Sequence, residues 1–268
     1  MHWIIQENLY NEIGFNSLIN ALVALNVPHS VHKIIPFIHE LVPEINPSGR
    51  VMVMGAYTMN KIAIDRGWTP GTYLNDQFDY ELQCKKWSGH MLNEDAHFFS
   101  FKDASLDAQD DEYFFIRPVE DMKCFAGQVM SYIEFKDWQH GVLGLELDDG
   151  YPLHGDTEIL MSPVKKIYTE TRVWVVNIPC KFRSVVTAST YRVGKCLNYT
   201  MAVDSDILQF VEERNTQWRP DEAYVMDVAR TPDGLKIVEV NNINASGFYG
   251  GDVSKIVAAL EELNGTIE

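Results

Sequence analysis

The first hundred residues alternate short apolar runs with stretches of helical periodicity. Strands are predicted at residues 3–6, 31–37, 51–57 and 71–74. Apolar residues recur at helical spacing over residues 13–25, and a shorter helix is predicted over residues 58–66 with Thr58 as its cap. Strands that alternate with helices in this way are typical of a parallel sheet. The pattern therefore predicts a small parallel α/β unit at the start of the chain.

The second half of the chain is richer in strands and turn signals. An acidic stretch at residues 107–112 precedes it and is interpreted as a solvated connection. Strands are predicted at residues 113–118, 127–135, 141–147, 158–161, 167–176 and 184–189. Helices are predicted over residues 206–215, with Ser205 as a cap, and over residues 252–263, with Asp252 or Ser254 as a cap.

A β-hairpin is predicted near the C-terminus, where alternating runs flank the turn sequence Thr231-Pro232-Asp233-Gly234. In a three-residue loop Thr231 pairs with Leu235, which places Asp227 opposite Glu239, with Asn241 further along the same face. The other face then carries an apolar set of Met226, Val228, Val238 and Val240. A two-residue loop would shift the register by one and separate the two acids.

Two carboxylates directly opposite each other repel unless a cation lies between them. Asp227 and Glu239, together with the amide oxygen of Asn241, supply the hard oxygen donors that Mg²⁺ prefers. The three-residue loop therefore predicts a metal site on this hairpin. The alternative is a surface hairpin with two solvated acids.

The composition is that of an ordinary soluble globular protein, with 46% hydrophobic and 22% charged residues among 268. This length predicts two or three subdomains. The net charge of −16 and the pI near 4.8 argue against broad binding to nucleic acid or membranes. No signal-peptide pattern and no apolar run of membrane-spanning length occur, so we expect a cytoplasmic protein. The oligomeric state stays open, a homodimer included.

Several common site motifs are absent from the sequence. The four cysteines are widely spaced without a CxxC pair, which favours reduced thiols over disulfides or a zinc site. No GxGxxG follows the first predicted strand, and no glycine-rich phosphate loop ending in Gly-Lys-Ser/Thr occurs. A dinucleotide fold and a P-loop enzyme are therefore not supported.

Positive charge is concentrated in one region of this acidic chain. Residues 165–195 contain seven Lys or Arg and a single acid, Glu170, which suits a polyphosphate, although a solvated strand face is preferred for the individual lysines. Glu170 and Arg172 share one face of a predicted strand, so the carboxylate can orient the guanidinium. Arg117 and Lys123, near a glycine-containing turn, form a second candidate phosphate clasp or ordinary loop chemistry.

The order of these motifs resembles the ATP-grasp superfamily, and more closely a divergent branch found in phages and bacteria. The order is Arg117, Lys123 and Gly127, then the strand with Glu170 and Arg172, then Asp227, then Glu239-Val240-Asn241. The last element is the most specific, because ATP-grasp ligases place an Asp on one strand and a Glu-x-Asn on the next, both serving Mg²⁺.

The resemblance implies roles for the nucleotide-site residues. Arg117 and Lys123 would contact the ATP phosphates, and Glu158 would bind the ribose. The turn around Met161 and Ser162 would be the hinge whose backbone meets adenine. The metal ligands would be Asp227, Glu239 and Asn241, with Asn241 also facing the nucleotide.

The resemblance also implies which residues act on the substrate. Arg172 would stabilise the transferring γ-phosphoryl group, and Arg192 would bind the substrate carboxylate or the acyl phosphate. Asn242, Asn244 and Ser246, just past the metal ligands, would reach substrate or else form a polar loop.

The implied fold is α/β and α+β. An N-terminal α/β domain over residues 1–105 would precede an ATP-grasp domain over residues 106–268, whose subdomains at about 112–162 and 163–268 clasp ATP between antiparallel sheets. The implied activity is ATP- and Mg²⁺-dependent ligation of a small-molecule or peptide carboxylate to an amine through an acyl phosphate, releasing ADP and phosphate. A kinase with the same fold, or a nucleotide-binding protein without turnover, is the alternative.

Overall fold

The fold is given by a computed structural model, which describes residues 1–7, 14–35, 38–73, 79–119, 124–145 and 153–265. The strands are β1 (His2–Gln6), β2 (His29–Ile35), β3 (Glu40–Val42), β4 (Val51–Met54), β5 (Pro70–Gly71), β6 (His97–Ser100), β7 (Tyr113–Pro118), β8 (Gln128–Ser131), β9 (Glu158–Pro163), β10 (Thr169–Val176), β11 (Val185–Val193), β12 (Cys196–Thr200), β13 (Ala223–Thr231) and β14 (Gly234–Asn242). The helices are α1 (Phe15–Ala24), α2 (Tyr57–Asp65), α3 (Tyr80–Lys86), α4 (Tyr132–Leu143), α5 (Ser205–Gln217) and α6 (Val253–Leu263), with 3₁₀ turns at Phe101–Asp103 and Ile243–Ala245. Within those ranges, none of the helices is long and apolar enough to cross a bilayer.

The chain forms two compact units. The first comprises Met1–Gln77 and Ile167–Glu268, and the second comprises Phe78–Lys166. The predicted domain boundary near residue 105 stays a prediction, because compact units need not coincide with the domains that a family resemblance implies.

The first unit contains the predicted parallel sheet. Its strand order is β3-β2-β1-β4-β5, and β1 pairs in parallel with both β2 and β4. The fully buried β4 carries the two-sided apolar pattern that parallel strands require. The parallel α/β prediction for this part of the chain is therefore confirmed.

An antiparallel sheet of order β12-β11-β10-β13-β14 completes the first unit. One core cluster joins it to the N-terminal elements, since Trp3 and Leu22 pack together with Trp174, Val225 and Leu260. The C-terminal helix α6 and helix α1 contribute to this cluster. This shared core explains why the two ends of the chain fold as one unit.

The second unit contains an antiparallel sheet of order β6-β9-β7-β8 covered by α4. Its core is aromatic, with the Trp138 ring 4.9 Å from Phe101 and 5.0 Å from Phe125 between ring centroids. Helix α4 begins with a capping box, in which the Ser131 hydroxyl accepts from the Glu134 N–H and the Glu134 carboxylate accepts from the Ser131 N–H.

This helix corrects two predicted strands. The strand predicted at residues 127–135 ends at Ser131, and the one predicted at 141–147 is wrong over residues 141–143, which are helical. The Ser131-x-x-Glu134 pattern was a start signal that the strand interpretation overlooked, and Tyr132, Phe135 and Val142 form the buried helical face.

Other predicted bounds need smaller corrections. The third strand ends at Met54, and α2 starts at Tyr57 with Ala56 at its N-cap, so Thr58 is not the cap. Ser205 is the first residue of α5 and Asp204 is its N-cap. Asp252 caps α6 as predicted, since its carboxylate accepts from the Lys255 N–H at 3.2 Å. The predicted Ile13, Phe37 and Leu74 ends lie outside the described residues.

Candidate functional site

The candidate site is a row of side chains across three neighbouring strands of the antiparallel sheet. Strand order places β13 between β10 and β14. Arg172 of β10 is the cross-strand partner of Asp227 on β13, and Asp227 is in turn the partner of Glu239 on β14. Directly paired residues present their side chains on the same face of a sheet. The predicted pairing of Asp227 with Glu239 is therefore confirmed.

The turn that produces this register is different from the predicted one. Thr231 pairs with Gly234, so the loop consists of Pro232 and Asp233, and the three-residue loop is wrong. A bulge between Asp227 and Val228 restores the register: Val228 pairs with Ile237 and Asp227 with Glu239, which leaves Val238 as the extra residue.

The bulge also changes the apolar face of the hairpin. Ile237 is fully buried where Val238 was predicted, whereas Met226, Val228 and Val240 lie in the core as expected. The bulge therefore keeps the apolar residues on one face and the two acids on the other.

Arg172 and Asp227 form a buried two-pronged ion pair. The Nε of Arg172 donates to Oδ1 of Asp227 at 2.9 Å, and Nη2 donates to Oδ2 at 2.7 Å. Asp227 is only 1% exposed and Arg172 only 6%. Nη1 of the same guanidinium donates to the carbonyl oxygen of Gly247 at 3.2 Å. The parallel fork geometry fixes the guanidinium in the plane of the carboxylate.

Asn241 links the two acids of the hairpin. Its Nδ2 donates to Oε1 of Glu239 at 3.0 Å and to Oδ2 of Asp227 at 3.3 Å. A half-turn of the amide would put its oxygen where the nitrogen lies, facing the same two carboxylates. Among the described residues, no group of three or more His, Cys, Asp or Glu is arranged to hold a metal ion. The donor set here is thus two carboxylates and one amide, which fits Mg²⁺ with the remaining ligands from water or phosphate.

The site is short of positive charge. Burial raises the pKa of Asp227, Arg172 opposes this shift, and the charges of Glu239 and Glu170 raise the pKa further. Burial acts to lower the pKa of Arg172, but the charge and hydrogen bonds of Asp227 outweigh it and raise the pKa. A further cation beside Asp227 and Glu239 would relieve this repulsion between carboxylates.

Tyrosine rings cover Arg172. The guanidinium carbon lies 4.5 Å from the ring centroid of Tyr249 and 5.9 Å from that of Tyr191. These two rings stack with centroids 4.8 Å apart, and Tyr199 stacks on Tyr249 at 5.4 Å. Tyr249 has a positive φ of 47°, which is unusual for a bulky residue and marks a constrained backbone. The stack restricts the orientation of the guanidinium by cation–π contact.

Glu170 holds the second candidate arginine. Its Oε1 accepts from Nη1 of Arg192 at 2.8 Å, and its Oε2 accepts from the hydroxyl of Tyr191 at 2.6 Å. The Glu170 side chain is buried, whereas that of Arg192 is 46% exposed. Burial and the charges of Asp227 and Glu170 raise the pKa of Tyr191, so its hydroxyl stays protonated and keeps donating. Arg192 thus presents an anchored cation at the sheet surface.

Tyr191 and Tyr249 were missed by the sequence reasoning. The strand predicted at residues 184–189 stopped two residues short of Tyr191, whereas β11 runs on to Val193. Continuing the alternation along this strand would have found Tyr191. Tyr249 lies in a loop between glycines, where no periodic signal exists.

The loop after β14 is held by Asn242 and Asn244. Oδ1 of Asn242 accepts from the N–H of Asn244 at 2.7 Å, and its Nδ2 donates to the carbonyl oxygen of Tyr73. The amide of Asn244 donates to the carbonyl oxygen of Val53 at 2.7 Å and accepts from the N–H of Tyr73 at 2.8 Å. These bonds tie the loop to the N-terminal sheet, so the geometry supports a positioning role for both residues. Their role in substrate binding stays a prediction.

Ser246, the third residue predicted to meet substrate, also bonds within this loop. Its hydroxyl donates to the carbonyl oxygen of Asn242 at 2.6 Å. The hydroxyl oxygen retains acceptor capacity, and the residue is half-buried. Contact between Ser246 and substrate stays a prediction.

The remaining predicted nucleotide residues belong to the second unit. The guanidinium of Arg117, on β7, lies 4.8 Å from the ring centroid of Tyr80. Glu158 is exposed at the start of β9. Lys123 lies outside the described residues.

Met161 and Ser162 lie within β9, so the predicted turn at this position is wrong. The Met161 side chain is fully buried in the core, and the Ser162 hydroxyl donates to Oδ1 of Asn93 at 3.1 Å. The apolar alternation of β9 continues through both residues, which explains the strand. Contact of their backbone with adenine stays a prediction.

Comparison with known proteins gives a family and a fold. A family model described as an ATP-grasp domain, family 3 of its clade, matches residues 30–260. A search of curated proteins found no match in sequence.

Solved structures match over nearly the whole chain. D-cycloserine synthetase DcsG has a TM-score of 0.62 at 10% identity and covers 98% of this chain and 100% of its own. D-alanyl-alanine synthetase A from Vibrio cholerae has a TM-score of 0.64 at 10% identity, covering 99% and 98%. D-alanine–D-alanine ligase from Bacillus anthracis complexed with ATP has a TM-score of 0.60 at 11% identity, covering 99% of both chains. At such identities these likenesses establish the fold alone.

Proposed function

The chain belongs to this family of ATP-grasp domains, and from that premise we propose that it is an ATP- and Mg²⁺-dependent carboxylate–amine ligase. The observation that carries the proposal is the row Arg172, Asp227 and Glu239 across three adjacent strands, with Asn241 bonded to both acids. The names of the structural neighbours support it, because they are a cycloserine synthetase and D-alanine–D-alanine ligases, one of them complexed with ATP.

Asp227, Glu239 and the amide oxygen of Asn241 would hold Mg²⁺. When bound there, Mg²⁺ supplies positive charge to the phosphate oxygens of ATP. On the protein side, the sheet fixes both carboxylates before any ligand arrives, because Arg172 and Asn241 already bond to Asp227. Such preorganisation lowers the cost of assembling the site.

Arg172 would stabilise charge on the transferring γ-phosphoryl group. Three of its N–H groups bond to Asp227 and Gly247, and a guanidinium has five. The two remaining donors are free to meet phosphoryl oxygens, in an orientation set by Asp227 and by the ring of Tyr249. Arg192, anchored by Glu170 and half-exposed, would bind the substrate carboxylate.

The proposed reaction has two steps. An oxygen of the substrate carboxylate attacks the γ-phosphorus, and the bond between that phosphorus and the ADP oxygen breaks, which gives an acyl phosphate and ADP. The amine nitrogen then attacks the acyl carbon, phosphate leaves, and the nitrogen loses a proton. Activation is required because a carboxylate at neutral pH is a poor electrophile.

The nucleotide contacts of the second unit are part of the same proposal. Arg117 and Lys123 would bind the ATP phosphates, Glu158 the ribose, and the backbone at Met161 and Ser162 the adenine. The domain division at residues 105 and 106 is proposed with them.

Isothermal titration with ATP, with and without Mg²⁺, tests the nucleotide site. We expect Mg²⁺-dependent binding in the wild type and a loss of about 100-fold or more in Glu239→Gln, since even outer-shell partners of a metal cost about 10–100-fold. Glu239→Gln keeps the Arg172–Asp227 pair intact, so the fold is not the variable. Glu213→Gln, an exposed site on α5, is the matched control. Equal binding by both variants would overturn the metal assignment.

Product analysis tests the type of reaction. We expect ATP-dependent phosphate release only when a carboxylate and an amine are both present, and a mass-spectrometric product equal to their sum less one water. A phosphorylated product that accumulates would indicate a kinase instead, and ATP binding without turnover across amino acids and peptides would indicate a binding protein.

A further inference from the structure

An apolar pocket lies beside the proposed catalytic row, within the first unit. Its walls come from the C-terminal ends of the parallel strands β1 and β4, from α1, and from the loop that follows β14. Its apolar lining residues are Ile5, Phe15, Leu18, Met54, Ala56 and Phe248. Ligands of open parallel sheets bind at this end of the strands.

The polar groups around the pocket are already paired within the protein. The side-chain amide of Asn244 bonds to the backbone of Val53 and Tyr73, and the hydroxyl of Ser246 donates to the backbone of Asn242. The N–H of Gly55 donates to the Asn244 carbonyl at 2.9 Å. A polar group entering the pocket would therefore lose its water without gaining these partners, which is unfavourable.

The size of the pocket limits its occupant. Its volume is about 190 Å³. An apolar cavity of about 150 Å³ in another protein holds a benzene molecule. The pocket therefore suits a branched aliphatic or phenyl group.

The loop after β14 connects this pocket to Arg172. Gly247 and Phe248 line the pocket, the carbonyl oxygen of Gly247 accepts from Arg172 at 3.2 Å, and the ring of Tyr249 lies over the guanidinium. A group in the pocket is thus within one or two residues of chain, about 4–8 Å, from the proposed site of phosphoryl transfer.

We propose that this pocket binds the side chain of the carboxylate substrate, and that this substrate carries a branched aliphatic or phenyl side chain. The inference rests on the proposed function, because it takes the carboxylate near Arg172 to be the one that is activated. Valine, leucine and phenylalanine, free or at the C-terminus of a peptide, are the substrate class.

Hydroxylamine trapping measures the carboxylate preference without knowledge of the natural amine. Hydroxylamine attacks an acyl phosphate, releases phosphate and leaves a hydroxamate. Valine and threonine have nearly the same shape, as do leucine and asparagine. We expect hydroxamate from valine, leucine and phenylalanine with kcat/KM at least about tenfold above threonine and asparagine, because a site without polar partners disfavours a buried hydroxyl or amide. Equal use of valine and threonine would overturn the inference.

A pocket-filling variant provides the second arm. Ala56→Leu narrows the pocket, and we expect kcat/KM for leucine and phenylalanine to fall about 10–200-fold while that for alanine changes little. Ala202→Leu, at an exposed position of the same unit, is the matched control and should leave the preference unchanged. An equal loss for all side chains would contradict a role in selectivity.

Binding can be followed without turnover through the methyl group of Met54, which lines the pocket. Titration of the wild-type protein with leucine should shift the ¹³C-methyl signal of Met54, and asparagine should not. If ATP and Mg²⁺ bind but Met54 does not respond to leucine, this inference fails and the proposed function stands. If ATP does not bind, the proposed function fails, and the Met54 titration still decides what the pocket takes.

Discussion

Replacing Arg172 by methionine would leave the carboxylate of Asp227 buried without its counter-ion. Asp227 is 1% exposed and receives both prongs of the guanidinium, at 2.9 and 2.7 Å. Removal of one partner from such a buried pair costs about 3–5 kcal/mol. For a chain of this length that corresponds to a fall in Tm of about 6–10 °C.

The pH dependence of this loss separates the ion pair from simple packing. Burial raises the pKa of Asp227 and Arg172 opposes that shift, so in Arg172→Met the pKa rises further. Between the unfolded pKa of Asp227 and its raised folded pKa, the folded state holds more protons than the unfolded state, so stability falls as pH rises. Lowering the pH through this window should recover about 1.4 kcal/mol of stability per pH unit.

Urea unfolding of the purified protein at several pH values measures this effect. Arg172→Lys keeps the charge but not the fork, and should lose less stability than Arg172→Met at neutral pH. Arg183→Met, at an exposed position, is the matched control and should change the free energy of unfolding by less than about 0.5 kcal/mol. A loss in Arg172→Met that is the same at pH 5 and pH 8 would refute the buried ion pair as its cause.

Three further predictions follow from other parts of the structure. Deletion of Val238, the extra residue of the bulge, keeps every other cross-strand pair and should retain Mg²⁺–ATP binding, whereas deletion of Val240 should abolish it by turning Glu239 or Asn241 to the core; calorimetry compares them, and loss of binding in a folded Val238 deletion would contradict the register argument. Tyr249→Ala should lower kcat by up to about 30-fold through the lost cation–π contact of about 0.5–2 kcal/mol, while Tyr249→Phe keeps the ring and should keep the rate. Burial raises the pKa of the Cys84 thiol to about 11, so iodoacetamide at pH 8 should label exposed Cys180 first by mass spectrometry, and faster labelling of Cys84 would refute this burial.

Local sequence signals were sufficient for much of the site. Alternation along β10 and β13 placed Glu170, Arg172 and Asp227 on strands, and the structure places all three there. The same alternation found the parallel strands β1, β2 and β4. These features depend on neighbours within a few residues, which a periodicity can register.

The features that were missed depend on contacts between distant parts of the chain. The amide groups of Asn242 and Asn244 bond to Tyr73 and Val53, some 170 to 190 residues earlier. In the sequence, a polar loop after the metal ligands has the composition of a substrate loop whether or not its amides are already paired. Only the fold distinguishes an available amide from one that holds two segments together.

The hairpin register has the same kind of cause. The two-residue loop alone would pair Asp227 with Val238 and Met226 with Glu239, and so place the Glu239 carboxylate on the buried apolar face. Burying that charge beside Met226 would cost far more than the ladder hydrogen bond that a bulge sacrifices. Val238 is a β-branched residue that suits any strand position, so nothing in its identity announces a bulge. The three-residue loop gave the correct pairing for a different reason: both arrangements satisfy one requirement, that Glu239 lies opposite Asp227 and away from the core. Burial energetics therefore select the register, and the turn and the bulge are the means by which this chain reaches it.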